Sequence, residues 1–240
     1  LFLWNSSNNS IFWNNVTNNY NGIILDYSSS NTISGNNITS NEYGISLTYS
    51  SNNSIAENNV TINKWEGIDV EESSNNSISG NDVTDNIGNG ILVCDSSQNN
   101  TILENNIKAN SQDGLQIYGS NGNTVFQNNI KNNTWNGLSI RYCHNNTIFA
   151  NNITNNNVGI ALEVSSNNIL YHNNIINNTL QATSFYPTVN TWDDGYPSGG
   201  NYWSNYTGTD SYYGVYQNLT GWDGVGDTAH TIGANNTDHY

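Results

Sequence analysis

One unit, written about eight times over, constrains this chain more than any other feature. Glycines that precede Ile or Leu fall at Gly22, Gly44, Gly67, Gly90, Gly114, Gly137 and Gly159, spaced by 22 to 24 residues. The pairs Asn14-Asn15, Asn36-Asn37, Asn58-Asn59, Asn81-Asp82, Asn105-Asn106, Asn128-Asn129, Asn151-Asn152 and Asn173-Asn174 keep the same period. A repeat of this length outranks local propensity as a guide to fold. Each unit holds three short β-like pieces, such as Thr32 to Ser34, Ile38 to Thr39 and Ile45 to Leu47, with Asn, Ser and Gly between them.

Four apolar columns emerge when the units are aligned. The first runs from Ile11 through Ile33, Ile55 and Ile78 to Leu170, and the second from Val16 through Ile38 to Ile175. The third runs from Ile23 to Ile160 and the fourth from Leu25 to Leu162. Four apolar residues per unit cannot enclose a compact core. Stacked coils instead set each Ile on the Ile of the next, about 4.8 Å away, which predicts an all-β, right-handed parallel β-helix of about eight 22–24-residue coils. The Asn positions are read as scaffold: an amide ladder along each bend, with Asn tolerating left-handed backbone there.

Periodicity stops near Leu180. Residues 1–184 are therefore expected to form the solenoid and residues 185–240 an aromatic-rich C-terminal cap. The second segment has no Lys or Arg, six Asp, both prolines, and Trp192, Trp203 and Trp222. Leu1 and Leu3 fall in columns three and four, so the sequence starts within a strand. The module is expected to belong to a longer chain, with an upstream coil, other copies of itself or another envelope protein covering its first coil end to end.

Composition then excludes several partners. A net charge of -15, with Lys64, Lys108, Lys131 and Arg141 as the only basic residues, argues against nucleic acid, anionic lipid and polyanionic substrates. No apolar run approaches the roughly 20 residues of a membrane span, and LFLW is too short for a signal peptide.

The NNSI, NNIT and NGI units resemble the parallel β-helix repeat of NosD-like periplasmic proteins and of carbohydrate-binding and sugar-hydrolase domains. WDDGYPSGGNYWSNY (Trp192 to Tyr206) and WDGVGDT (Trp222 to Thr228) resemble the tail that follows such repeats in surface proteins of methanogenic archaea. The resemblance implies an extracellular or cell-surface β-helix without a settled activity. The NosD name suggests copper, but the chain lacks Met, and His144, His172, His230 and His239 show no ligand spacing.

Candidate chemistry lies beside columns three and four. Asp69 and Glu71, with Glu72 and Asp95, form an acidic patch that could act as acid and base on a glycoside, collect Ca2+, or be ordinary solvated acids. A lyase would need Lys or Arg there; Arg141 is alone and next to Glu163, which favours a salt bridge. Tyr20, Trp65 and Trp135, with Tyr43 beside them, sit at the turn before column three and could stack on sugar rings or merely pack the turn. Asp210, Asp223 and Asp227 lie among tail glycines, in a pattern similar to Ca2+ loops but without the EF-hand spacing; no cofactor is required otherwise. Cys94 and Cys143 lie two coils apart, too far for a disulfide. Among the sequons, Asn205, Asn218 and Asn235 are the better glycosylation acceptors, whereas Asn37-Ile38-Thr39 is expected to be closed within the ladder. The reading favoured by the sequence is a non-catalytic structural or adhesive module, followed by carbohydrate binding and then by a polysaccharide-cleaving enzyme.

Overall fold

The computed structural model describes residues 1–186, 188–233 and 235–240, and contains no helix among them. Three parallel sheets run along a solenoid. The first, nine-stranded, extends from Phe2–Trp4 to Leu180–Phe185; the second, eight-stranded, from Ser10–Phe12 to Ile169–Tyr171. The third, nine-stranded, extends from Asn15–Thr17 to Asn174–Ile176 and is completed by Tyr202–Trp203. Each strand pairs with its counterpart one repeat later, so Ile33, Ile55, Ile78 and Ile102 stand in one file. The other three columns align likewise, and their Ile, Val and Leu side chains form one continuous buried core. Full burial of each such side chain contributes roughly 1.5–3 kcal/mol; no single coil could gain that alone.

The bends are closed by side-chain ladders. At the bend between the second and third sheets, the backbone N–H and Nδ2 of Asn81 both donate to Asn105 Oδ1, at 3.0 and 2.9 Å, while Nδ2 also donates to the Ile55 carbonyl at 3.0 Å. The pattern repeats from Asn14 to Asn201. Two further Asn ladders guard the other bends, one through Asn31, Asn53 and Asn76 and one through Asn41, Asn63 and Asn86. A serine column through Ser28, Ser50, Ser73 and Ser97 lies beside the first of these. Buried amides thus find partners in the next coil, as buried polar groups must.

Asn takes the left-handed backbone at the other bends, as at Asn52, Asn75, Asn132 and Asn155, but not in the Asn pairs. There it falls on the residue before each rung, namely Trp13, Gly35, Glu57, Gly80, Glu104, Gln127, Ala150 and His172 along one bend. The rung keeps a strand-compatible backbone because its amide must point inward along the axis. Its predecessor makes the turn with its side chain outward, so Trp or Glu is tolerated there despite the strain.

At the C-terminal end, columns one and two close on aromatics and columns three and four on small residues. Trp203 pairs with Ile175, and Trp192 follows the Ile169–Thr191 bridge; Ala182 and Ser184 pair with Ile160 and Leu162. The two indoles lie 5.8 Å apart, and their N–H groups donate to Asn236 and Asp238 of the strand Asn236–Asp238. Segments beyond residue 184 thus still run in the solenoid's register.

Candidate functional site: the outer face of the first sheet

Alternation along a strand decides which residues reach the outer face of the first sheet. Ile68 and Val70 are buried, so Asp69 and Glu71 project outward. Asp69 stands between Ser46 and Leu92, and Glu71 between Thr48 and Cys94, on the neighbouring coils. Glu66 precedes the strand, and Asp95 follows Cys94 in a left-handed turn. Oδ1 of Asp69 is buried and has no hydrogen-bond partner among the described residues. Burial, reinforced by the charges of Glu66, Glu71 and Asp95, pushes the Asp69 carboxyl up to about 7. The same burial raises the Cys94 thiol, with Asp69 adding to it.

Along one edge of this acidic floor, three aromatic rings form a wall. Tyr43 stacks on Trp65 with centroids 6.3 Å apart and meets Tyr20 at 6.1 Å. Trp65 and Tyr20 are exposed, and the wall therefore presents ring area to solvent. Trp135 does not join it. It lies beyond Ile87-Gly88 and Ser111-Gln112, which interrupt the aromatic row, and its backbone bonds to Gln112 and Val158 instead. Along the opposite edge Tyr27 stacks on Tyr49 at 4.8 Å, and the Tyr49 hydroxyl donates to Glu72 at 2.9 Å. This second aromatic edge was missed in the sequence, although Tyr27 and Tyr49 hold the same place in successive units.

Asp113 offers a contrast on the same face. Burial raises its carboxyl, but Oδ1 accepts from the Asn136 backbone and amide at 3.0 and 2.7 Å, and Oδ2 accepts from Gln116 at 3.2 Å. Arg141 leans 3.6 Å from Glu163 and donates to Ser139, as its position beside Glu163 suggested. Lys64, at the rim, is paired with Glu42 at 3.0 Å.

The tail acids are not gathered together. Asp227 accepts from the Ser211 and Tyr212 amides, Asp223 from Gly214, Val225 and Gln217, and Asp210 from the Asp223 and Gly224 amides. Each carboxylate thus binds backbone in its Gly-rich turns. Among the described residues no group of three or more His, Cys, Asp or Glu is placed to hold a metal. His144 contacts Ser166, His172 the Ser198 carbonyl, and His239 Asp193, while His230 stacks on Trp203 at 4.5 Å. Both cysteines are free and buried. Asn205, Asn218 and Asn235 are exposed. Asn37, expected to be closed within the ladder, is no rung of the buried ones: it faces outward on the third sheet, half-buried, donating to Asn15 at 2.8 Å and accepting from Asn59 at 2.7 Å in an outer file of amides.

Several solved structures share this architecture. The A-module of the Azotobacter vinelandii mannuronan C-5 epimerase AlgE6 is similar with a TM-score of 0.71 at 20% identity, covering 81% of this chain and 58% of that one. The periplasmic alginate epimerase AlgG gives 0.69 at 21% identity, covering 74% and 48%, and the pectate lyase Pel9A 0.55 at 12%, covering 80% and 64%. The chain thus spans 48% to 64% of the length of these proteins, and at such identities the likeness is one of fold. No curated protein sequence matches it. Residues 1–113 and 99–208 match the family described as periplasmic copper-binding protein (NosD). With most of its length matched, the chain belongs to the NosD family.

Proposed function

We propose that this chain is a non-catalytic glycan-binding solenoid of the cell envelope or extracellular space, holding a sugar chain along the outer face of its first sheet. The observation that carries the reading is the Tyr20–Tyr43–Trp65 wall at the edge of the face that carries the Glu66 and Asp69 carboxyls, whose charges act on Tyr43. A flat ring face beside carboxylate acceptors is what a pyranose needs: one side stacks and one hydroxyl donates. Structural relatives lend support, being a mannuronan epimerase, an alginate epimerase and a pectate lyase. The periplasmic setting in the names of the family and of AlgG supports the location.

Polyuronate chemistry fits this chain poorly. A uronate carboxylate needs cations to steady it, whereas Arg141 is committed to Glu163 and the floor carries Glu66, Asp69, Glu71 and Asp95. Copper fits no better. The His residues are dispersed, each against its own neighbour, and the two thiols are buried and raised by burial, so no soft donor set converges among the described residues.

A second reading, a structural rod that stacks end to end with other copies or envelope proteins, is supported by the ladders that run the whole shaft. A glycan array separates the two. Reproducible hits that weaken in Trp65→Ala support the glycan reading; a blank array leaves the rod.

A further inference from the structure

The outer face of the first sheet gathers negative charge around Asp69, and among the described residues no ion pair ties Glu66, Asp69, Glu71 or Asp95 to a cation. Glu66, Asp69 and Glu71 come from one coil, Asp95 from the next, and Glu72 lines the edge. Their nearest basic neighbours are occupied, Lys64 by Glu42 and Arg141 by Glu163. Acids alone would mean little on so acidic a chain. Asp69 differs from them because its Oδ1 is shut away from solvent with no donor. Two coils further on, at the register place of Glu66 rather than of Asp69, Asp113 shows an acid on this face that is satisfied within the chain: Asn136 and Gln116 supply the N–H groups. Across the sheet Asp69 is flanked by Ser46 and Leu92, and neither donates to Oδ1.

We propose that this face selects a cationic glycan, an amino sugar whose ammonium group pairs with the Asp69 carboxylate while its ring lies against Trp65 and Tyr43. An ammonium brings three donors and a positive charge, which answers the uncompensated field. The aromatic wall adds attraction for a cation carried on a ring. A uronate would bring the opposite sign and be repelled. The absence of three converging ligands among the described residues disfavours a bare divalent ion in the same place. This inference rests on the glycan reading and specifies its ligand class.

Calorimetry with three probes tests it, in low salt near neutral pH: a glucosamine hexamer, its N-acetylated counterpart and a galacturonate hexamer. The glucosamine hexamer is expected to bind about tenfold or more tighter than the acetylated one, the scale of one charge-assisted contact, and the galacturonate not at all. Asp69→Asn should abolish that preference, bringing the affinities for the glucosamine and acetylated hexamers together; Trp65→Ala should weaken both. Ser46 and Gln116 hold the equivalent position in other coils, so Asp69→Asn is compatible with folding, and an unchanged melting curve verifies this. Equal affinity for the two hexamers, a preference that survives Asp69→Asn, or its loss on adding millimolar Ca2+ at matched ionic strength would overturn the cationic assignment. No binding of either hexamer to the intact chain would overturn the glycan reading beneath it.

Discussion

Asp238 Oδ2 accepts from the backbone N–H of Asn201 at 2.7 Å and from its Nδ2 at 3.0 Å, so the amide ladder that begins at Asn14 ends on a carboxylate. Every rung donates toward the C-terminal end, and the last one therefore offers hydrogen to whatever follows. A negative oxygen suits that place for the same reason an anion suits a helix N-terminus. Two residues earlier on the same strand, Asn236 Oδ1 accepts from Asn190 and ends the neighbouring ladder. The third ladder ends at Gln181, which accepts from Asn178 at 2.9 Å.

Burial, only partly offset by the hydrogen bonds from Asn201 and Trp203, raises the Asp238 carboxyl from 3.8 to about 6. The folded state then holds this proton more tightly than the unfolded chain between about pH 4 and 6, so stability contributed by Asp238 is present at low pH and declines as pH rises through that window. Asp69, raised to about 7, acts in the same direction up to neutrality. Urea unfolding across pH 4 to 8 should show the chain losing stability as pH rises, with Asp238→Asn removing roughly 2–3 kcal/mol of that slope. A slope identical in the variant would contradict the assignment.

Asn105 and Asn106 are adjacent and chemically identical, yet their substitution should differ sharply. Asn105 donates to Asn128 and the Ile78 carbonyl and accepts from Asn81, all within the buried bend. Asn106 faces outward on the third sheet, where it donates to Asp82 and accepts from Asn129 at a half-buried position that water can also serve. Asn105→Ala strands several buried groups and should cost about 3 kcal/mol, while Asn106→Ala should stay within about 0.5 kcal/mol. Denaturation midpoints decide it, and comparable losses at the two sites would count against the ladder's energetic role.

How much of this was legible varies with the kind of signal. The four columns were readable because a near-constant period places Ile33 on Ile55 whatever the intervening residues are. The acidic patch followed from the same arithmetic. Which Asn of each pair turns inward was not readable, since Asn105 and Asn106 carry the same local preference and only the neighbouring coil distinguishes them. Left-handed backbone at Trp13, Ile62 and Val164 has no signature in those residue types. The orphaned oxygen of Asp69 depends on cross-strand neighbours that offer it no donor. Asn201, Asn236 and Asp238 sit outside any period, so their role as ladder ends appears only in three dimensions.

Cys143 stands in the serine column: its N–H donates to Ser165 Oγ at 3.0 Å, and Sγ lies 2.9 Å from the Arg141 carbonyl it donates to. Serines at the same place, such as Ser120 and Ser165, make the equivalent contact with the carbonyl two residues earlier. Cys143→Ser should therefore be tolerated within about 1 kcal/mol, as a better hydrogen bond replaces a polarizable fit. Thermal melts with and without the change provide the comparison, and a large loss would mean the sulfur's volume matters more than its column.

Gly44 lies where the coils approach most closely at the entry to the first sheet. A side chain there would collide with the Gly67 carbonyl and sit 2.8 Å from Val60 Cγ1. Gly44→Ala should cost roughly 1–3 kcal/mol through this overpacking. Glycine-to-alanine changes at Gly119, where a Cβ meets nothing within 4 Å, should show only the backbone penalty of its φ of +57°. Equal losses at both positions would argue against a close approach at the sheet entry.

Crystals of the chain grown with the oligosaccharide that binds it best offer the most direct examination of the groove. A sugar ring lying on Trp65 and Tyr43, with a donor within hydrogen-bond distance of the Asp69 carboxylate, is the predicted result. Density instead in the tail cavity of about 300 Å3 that Tyr202, Tyr206 and His230 help to line, with the first sheet bare, would contradict it.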